Sequence, residues 1–238
     1  VWLTFMDVHH LLKVIPDVSN QMDNNICVTP WYDPENKNKS VFTSKDDKLV
    51  DIYINEIKRL DYYLKIIYDY IKETFKDDEM IVTLVSDHGQ AFVSDDPHPL
   101  SLARTKVPWY LHGEGVPKQD SYELTENIDV FETLLKYCDL QVSENNYDSK
   151  MPFALGGDLE REYVFSQSIY PGQTYKAVIR DQYCEYRYES KLVVSTNGLI
   201  QGTIEMKSES CINEKKRLEK EYCKKIVLEK INEWNNRN

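Results

Sequence analysis

The stretch from residue 80 to 89, MIVTLVSDHG, decides the fold that we expect for this chain. Its first half is apolar except for one threonine, which is typical of a strand buried on both faces. Residues 1–6 (VWLTFM) and 107–111 (VPWYL) have the same character, and a helical pattern lies between the first two strands. Apolar strands separated by helices indicate an α/β fold with a mostly parallel sheet flanked by helices.

Three segments carry apolar residues with helical spacing, which predicts amphipathic helices at 49–75, 127–138 and 212–234. Each helix is expected to bury one apolar face. The faces comprise Leu49, Ile52, Tyr53, Ile57, Leu60, Leu64, Ile67, Ile71 and Phe75 in the first helix, Ile128, Phe131, Leu134 and Leu135 in the second, and Ile212, Leu218, Tyr222, Ile226 and Trp234 in the third.

The pattern changes after the Gly156-Gly157 pair. Short segments of alternating polar and apolar residues, rich in Tyr and Val, follow up to residue 205, and Asn197-Gly198 predicts a tight hairpin. This is the pattern of an antiparallel sheet. We therefore expect an α/β domain at 1–155 and a small C-terminal lobe, made of an antiparallel sheet and a helix, at 156–238.

The charge balance excludes some classes of partner. The 238 residues contain 29 Lys and Arg against 40 Asp and Glu, so the formal net charge is −11. Nucleic acids and anionic membrane surfaces require clustered basic residues, so we expect neither as a partner. The sequence contains no apolar run long enough for a membrane span.

The cysteines indicate neither a disulfide framework nor a zinc site. They are odd in number and irregularly spaced, with no C-x-x-C pair: Cys27, Cys138, Cys184, Cys211 and Cys223. Unpaired cysteines are typical of reducing compartments, which favours a cytoplasmic protein.

Acid–imidazole pairs follow two of the predicted strands. The first strand runs into Asp7-Val8-His9-His10 and the second into Asp87-His88-Gly89. Functional groups gather beyond the carboxyl ends of parallel strands, and carboxylate and imidazole together suit Ca, Mg, Mn or Zn. The competing interpretation is structural, because Asp-His-Gly is a common tripeptide and a strand-end Asp often caps a turn.

These segments together resemble the sulfatases, a family of the alkaline phosphatase superfamily. Their order agrees with that family over nearly the whole chain. Near the N-terminus, Asp7-Val8-His9 resembles the family's D-x-H-x-P motif, with Leu11 in place of the proline. The segment 48–88, which runs into S-D-H-G, resembles the family's long helix and the metal-binding strand after it. Three further segments also resemble the family: 105–108 with the LHGEGV after it, NIDVFETLL at 127–135, and 175–180 before a Tyr-rich strand.

The resemblance implies an alkaline phosphatase-like fold and a metal-dependent centre. Asp87 and His88 match the family's metal-binding pair, and His9 matches a histidine that contacts the transferred group. Either His98 or Lys106 matches a basic residue that follows the metal motif, and the spacing does not choose between them. The implied substrate is a small-molecule or glycan sulfate or phosphate ester.

One family feature is missing. The family's nucleophile, a Cys or Ser in C/S-x-P-x-R or a Thr in transferase relatives, precedes the matched segments together with further Asp ligands. No such motif occurs here, and Cys27-Val28-Thr29-Pro30 echoes it only superficially and stands in the wrong order. We therefore expect an incomplete, C-terminal portion of such an enzyme that is inactive alone. Its expected partners are the missing N-terminal segment and a second copy that pairs at an exposed sheet edge beside Val1.

Two alternatives remain open at this point. A phosphodiesterase or phosphoethanolamine-type transferase of the same superfamily shares the Asp-His-Gly motif, so the motif does not separate it from a sulfatase. A pseudoenzyme or binding module that kept the fold and lost the site agrees with Leu11 and with the missing nucleophile.

Overall fold

The computed structural model describes residues 3–5, 47–90, 95–96, 98–140, 148–158 and 160–237. The chain forms two compact units, the first made of Val1–Met80 and His88–Lys106 and the second of Ile81–Asp87 and Val107–Asn238. The described helices and strands are α1 (Asp47–Thr74), β1 (Ile81–Val85), α2 (Leu102–Thr105), β2 (Trp109–Gly113), α3 (Asp129–Tyr137), β3 (Val164–Ser168), β4 (Thr174–Arg180), β5 (Cys184–Val193), β6 (Ile204–Cys211) and α4 (Lys220–Arg237). The boundary at 155/156 stays a prediction.

In the first unit, α1 confirms the long helix predicted from the apolar spacing. It has 28 residues, with Asp47 in its first turn and Lys72 in its last, where each charge opposes the helix dipole. Its predicted apolar face is only partly buried, because Ile57 and Phe75 are exposed. Glu56 is buried instead, in an ion pair with Arg59 at 2.7 Å. The side chains of Leu49 and Ile52 lie outside the described part of the chain.

In the second unit, β1 and β2 pair antiparallel, with register from Ile81↔Gly113 to Val85↔Trp109. The parallel arrangement expected for these two strands is therefore wrong, and no parallel sheet occurs among the described strands. An apolar run shows only that a strand is buried, and the long connection between the two strands permits either direction. Thr83, the polar residue of β1, accepts a hydrogen bond from Trp109 Nε1 and donates one to the Tyr110 carbonyl.

The buried strand predicted at 1–6 is wrong for its three described residues. Residues 3–5 lie in no strand, and Leu3 is 55% exposed. A strand requires a hydrogen-bonded neighbour, and no described strand pairs with 3–5. The sheet edge predicted beside Val1 falls outside the described residues.

The antiparallel sheet predicted for the C-terminal lobe is confirmed, with the strand order β3-β4-β5-β6. The sequence pattern indicates two short strands at 183–189 and 191–196, and β5 runs through both of them without a break up to Val193. The Asn197-Gly198 turn is present, with Gly198 at φ 82°, but it lies within the longer connection 194–203. The tight hairpin expected there is therefore wrong, because the strands end several residues away from the turn.

The main core of the second unit lies between this sheet and α4. Alternate residues of the central strands, Tyr175, Ala177, Ile179, Tyr186 and Tyr188, pack with Cys223, Ile226, Val227 and Ile231 of the helix. The predicted terminal helix begins at Lys220 rather than 212. Ile212 was expected on the buried face of this helix. It lies eight residues before the helix begins, and it is 87% exposed.

The buried face of α3 also differs from the expected one. The helix itself is confirmed, but Ile128 and Phe131 are exposed, while Asp129, Val130 and Thr133 are buried. An argument from apolar periodicity cannot find this face, since two of its three buried residues, Asp129 and Thr133, are polar.

Cys184 and Cys211 form a disulfide, so the prediction that the cysteines are unpaired is wrong for these two. They lie directly opposite each other at the ends of β5 and β6, with Cα atoms 4.1 Å apart. The register of β5 against β6 brings the two cysteines together. Their separation of 27 residues in the sequence does not by itself indicate a disulfide. The argument for a reducing compartment loses these two cysteines as support. Cys138 and Cys223 are free, and Cys27 lies outside the described residues.

No helix in the described part of the chain is long and apolar enough to cross a membrane.

The sheet–helix core predicts a clear asymmetry along α4. Ile226 is 3% exposed and Leu228 is 42% exposed. Ile226→Ala should lower the free energy of unfolding by about 2–5 kcal/mol, because it opens a cavity against the sheet. Leu228→Ala, the matched control, should change it by less than about 1 kcal/mol. Urea unfolding followed by circular dichroism measures both, and equal losses would contradict this packing.

The disulfide predicts a loss of stability on reduction. Replacing Cys184 and Cys211 by serine should lower the free energy of unfolding by about 3–4 kcal/mol, since the bond restricts the unfolded chain. Cys138→Ser is the control and should have little effect. Burial raises the pKa of the Cys223 thiol to about 11, so this thiol should stay unlabelled in the native protein. Peptide mapping after alkylation tests the pairing, and alkylation of Cys184 and Cys211 in native, unreduced protein would disprove it.

Candidate functional site

The candidate site begins where β1 ends. Val85 forms the last pair of the β1–β2 register, and Ser86 and Asp87 follow it directly. Asn127 donates hydrogen bonds from Nδ2 to the carbonyls of both, at 3.1 Å to Ser86 and 2.9 Å to Asp87. The Asp87 side chain is exposed at this strand end. A residue 40 positions away therefore holds the backbone that carries the candidate metal ligand.

His88 is exposed and its tautomer can be inferred from one contact. Nδ1 lies 2.9 Å from the Gly89 carbonyl oxygen. A carbonyl only accepts, so Nδ1 carries the proton of the neutral ring and Nε2 carries the lone pair. A lone pair on Nε2, with Nδ1–H bound to a carbonyl, is the usual state of a metal-binding histidine.

Gly89 is required for a close backbone approach. Its N–H donates to the Arg104 carbonyl at 2.8 Å, and a Cβ at position 89 would overlap the Ala103 carbonyl oxygen. Its backbone is not among the glycines with positive φ, so the reason for glycine here is space.

His98 is built into its own turn. Its Nδ1 accepts a hydrogen bond from the Leu100 N–H at 3.2 Å, and its N–H donates to Asp96 Oδ1 at 3.0 Å. The neutral ring therefore carries its proton on Nε2, which can donate to an anion. These contacts also agree with a purely structural role for His98 as a loop residue.

Lys106, the other candidate for the basic role, follows α2. Its backbone N–H donates to the Leu102 carbonyl at 2.9 Å, and its side chain is exposed. His98 and Lys106 thus lie on the same segment of the first unit, 88–106. His9, the third candidate, lies outside the described residues.

The donor chemistry of Asp87 and His88 fits a divalent cation. One supplies a carboxylate and the other a neutral imidazole nitrogen, and both side chains are exposed. Among the described residues, no group of three or more His, Cys, Asp or Glu side chains is placed to hold a metal ion. The pair therefore provides two donors, and the described residues do not complete the set.

A buried carboxylate, Asp129, anchors the turn that carries Asn127. It is 1% exposed and accepts hydrogen bonds from the N–H groups of Glu126 and Lys150, both at 2.8 Å. Arg161 donates hydrogen bonds to the same carboxylate from Nε and Nη2. Arg161 also contacts Glu126 Oε2 at 3.3 Å. One ion pair therefore joins the start of α3 to the segment before β3.

Glu126 extends this network to β3. Its Oε1 accepts a hydrogen bond from the Phe165 N–H at 2.6 Å. Burial raises the pKa of Glu126, while the Phe165 N–H and the Arg161 charge oppose that rise. The nearby Asp129 charge adds to the rise in pKa.

Asn127 is the site residue that the sequence did not reveal. An Asn two positions before a helix is normally interpreted as a cap, but the structure has Ile128 at the cap position, with no side-chain cap bond. Asn127 instead reaches the end of β1. Only the pairing of distant segments brings these groups together, so the sequence contains no local signal for it.

The described part of the chain combines helices with antiparallel sheets, and an acid–imidazole pair follows the end of β1. A family model described as Sulfatase matches residues 1–140, which is more than half of the chain. The chain belongs to the sulfatase family, as the resemblance indicated. No curated protein matches it significantly. β3 to β6 and α4 lie beyond the matched residues.

The close approach at Gly89 predicts that a methyl group is not tolerated there. Gly89→Ala should lower the free energy of unfolding by about 3 kcal/mol, the upper end for overpacking, because the added methyl group would overlap a backbone oxygen that cannot easily move away. Gly172→Ala is the control, since its surroundings are open and only its φ of +81° is unfavourable. That control should cost about 1–2 kcal/mol. Urea unfolding measures both, and a smaller loss at Gly89 than at Gly172 would contradict the close approach.

Proposed function

We propose that this sulfatase-family chain contributes two metal ligands, Asp87 and His88, to a centre that acts on sulfate or phosphate esters. The observation that carries the proposal is the state of His88. Its Nδ1 is bound to the Gly89 carbonyl, so its Nε2 has the lone pair that a metal ion needs. Asp87 precedes it with an exposed carboxylate.

A divalent cation at such a centre stabilises the charge on the oxygens of the transferring group. The protein's own residues would orient the ester and add positive charge beside it. His98 can donate from Nε2, and the exposed Lys106 supplies a flexible basic side chain. His9 is the third candidate for this role. The substrate class that we propose is a small-molecule or glycan sulfate or phosphate ester, and the cation is Ca, Mg, Mn or Zn.

We further propose that these 238 residues do not turn over substrate by themselves. Covalent catalysis needs an activated nucleophile, and the sequence contains no C/S-x-P-x-R motif. Cys27-Val28-Thr29-Pro30 has one residue too many before the proline and no arginine after it. The nucleophile and the remaining ligands then belong to a segment that is not among these residues.

A non-catalytic binding module is the second candidate. Leu11 in place of the family's proline and the missing nucleophile motif favour it. Cation binding separates the two candidates. The first candidate requires Asp87 and His88 to bind a cation, whereas a binding module with a degenerate site does not. A phosphodiesterase or a phosphoethanolamine-type transferase would share the metal site and differ in the ester that it cleaves.

Metal binding tests the ligand assignment. The wild-type chain should bind Mn²⁺, measured by electron paramagnetic resonance, and Asp87→Asn or His88→Gln should each raise the Kd at least about tenfold. Asp78→Asn, at another exposed acid, is the matched control and should leave the Kd unchanged. Titration with Zn²⁺, Ca²⁺ and Mg²⁺ then ranks the cations. Binding that does not depend on Asp87 or His88 would disprove the assignment and favour the binding module.

Activity tests the second part of the proposal. Purified wild-type chain, loaded with each cation, should not hydrolyse 4-nitrophenyl sulfate, 4-nitrophenyl phosphate or bis(4-nitrophenyl) phosphate above the metal-only rate. Metal-dependent turnover at an enzymatic rate, lost in Asp87→Asn, would show that a nucleophile is present in these residues. The ester that is cleaved would then separate a sulfatase from a phosphodiesterase.

A further inference from the structure

The end of β1 is held by a side chain from a distant segment. The Asn127 amide offers two N–H hydrogens, and its nitrogen lies 3.1 Å from the Ser86 oxygen and 2.9 Å from the Asp87 oxygen. Both acceptors are carbonyls, so only the nitrogen of the amide can face them. The two bonds restrain the peptide planes on either side of the Asp87 Cα atom, and therefore the direction of its Cα–Cβ bond.

The backbone around Asn127 is fixed by hydrogen bonds between its neighbours Glu126 and Asp129. The Glu126 N–H donates to Asp129 Oδ2 at 2.8 Å, and the Asp129 N–H donates back to the Glu126 carbonyl at 2.9 Å. The Asp129 carboxylate is buried and paired with Arg161, whose side chain is 10% exposed. A turn closed by reciprocal bonds and anchored by a buried ion pair is a rigid support for the side chain between its ends.

We propose that Asn127 is a positioning residue for Asp87: it sets the direction of the Asp87 carboxylate by binding the carbonyls of Ser86 and Asp87. This inference rests on the proposed function, in which Asp87 is a metal ligand. Holding a ligand in place before the ion arrives reduces the entropy lost on binding, which raises affinity without a new contact. Asn127 touches neither the ion nor the substrate in this role.

A purely structural role makes a different prediction. The two bonds lie at exposed positions, where water can replace the amide, so removing them should cost little stability. A positioning role should instead appear in metal affinity. Asn235 provides a matched control, because its side chain also makes two backbone bonds, both to Ile200 at 2.9 Å.

The experiment compares Asn127→Ala, Asn127→Asp and Asn235→Ala with the wild-type chain. We expect both changes at 127 to raise the Mn²⁺ Kd by about tenfold or more, as substitutions behind metal ligands do. Asn127→Asp keeps the shape but sets a carboxylate oxygen against two carbonyl oxygens. Asn235→Ala should leave the Kd unchanged. In an Asp87→Asn background, Asn127→Ala should add almost nothing, because its effect passes through Asp87.

A second measurement needs no metal. The amide nitrogens of Asp87 and His88 share peptide planes with the carbonyls that Asn127 binds, so their ¹⁵N shifts should move in both variants at 127 and stay unchanged in Asn235→Ala. Unchanged shifts would disprove the contact. If the ¹⁵N shifts move but the Mn²⁺ Kd stays at the wild-type value, the contact exists and the positioning role is disproved, while the proposed function is unaffected. Mn²⁺ binding that does not depend on Asp87 would overturn the proposed function, and with it the metal role of Asn127.

Discussion

One buried carboxylate, that of Asp129, joins three segments of the second unit. It accepts backbone bonds from Glu126 and Lys150 and pairs with Arg161, so it ties together the start of α3 and the segments on either side of residue 155. Removing a charged pair from water is costly, and the pair is stable only when further hydrogen bonds satisfy it. Here the backbone donors supply them. This requirement explains why α3 buries the charged Asp129 beside Val130 and Thr133.

The same anchor reaches the candidate metal ligands. It closes the turn around Asn127, whose amide binds the carbonyls that follow β1. The Asp87 carboxylate is thereby supported by segments 40 residues and more away in the sequence. His88 is oriented differently, through its own neighbour Gly89, which packs against α2 by backbone contact. Two adjacent side chains of one motif are thus positioned by unrelated interactions.

Some of this was accessible from the sequence. The strand that precedes Asp-His-Gly, the long α1 helix and the antiparallel sheet near the C-terminus are confirmed because each depends on a local pattern. The direction of β1 against β2 was not accessible, since an apolar run is compatible with both pairings. The Cys184–Cys211 bond was missed for the same kind of reason, because register decides which residues lie opposite each other.

The sequence by itself indicated the family, the helices α1 and α3, the antiparallel sheet of the C-terminal lobe, and the pair of residues that we propose as metal ligands. Tertiary structure alone decided which side chains support that pair. Asn127 and Arg161 have no local pattern that marks them, because their contacts are with residues about 40 and about 30 positions away. Local periodicity records which residues face a core, whereas long-range hydrogen bonds depend on how distant segments pack, and only the folded chain contains that information.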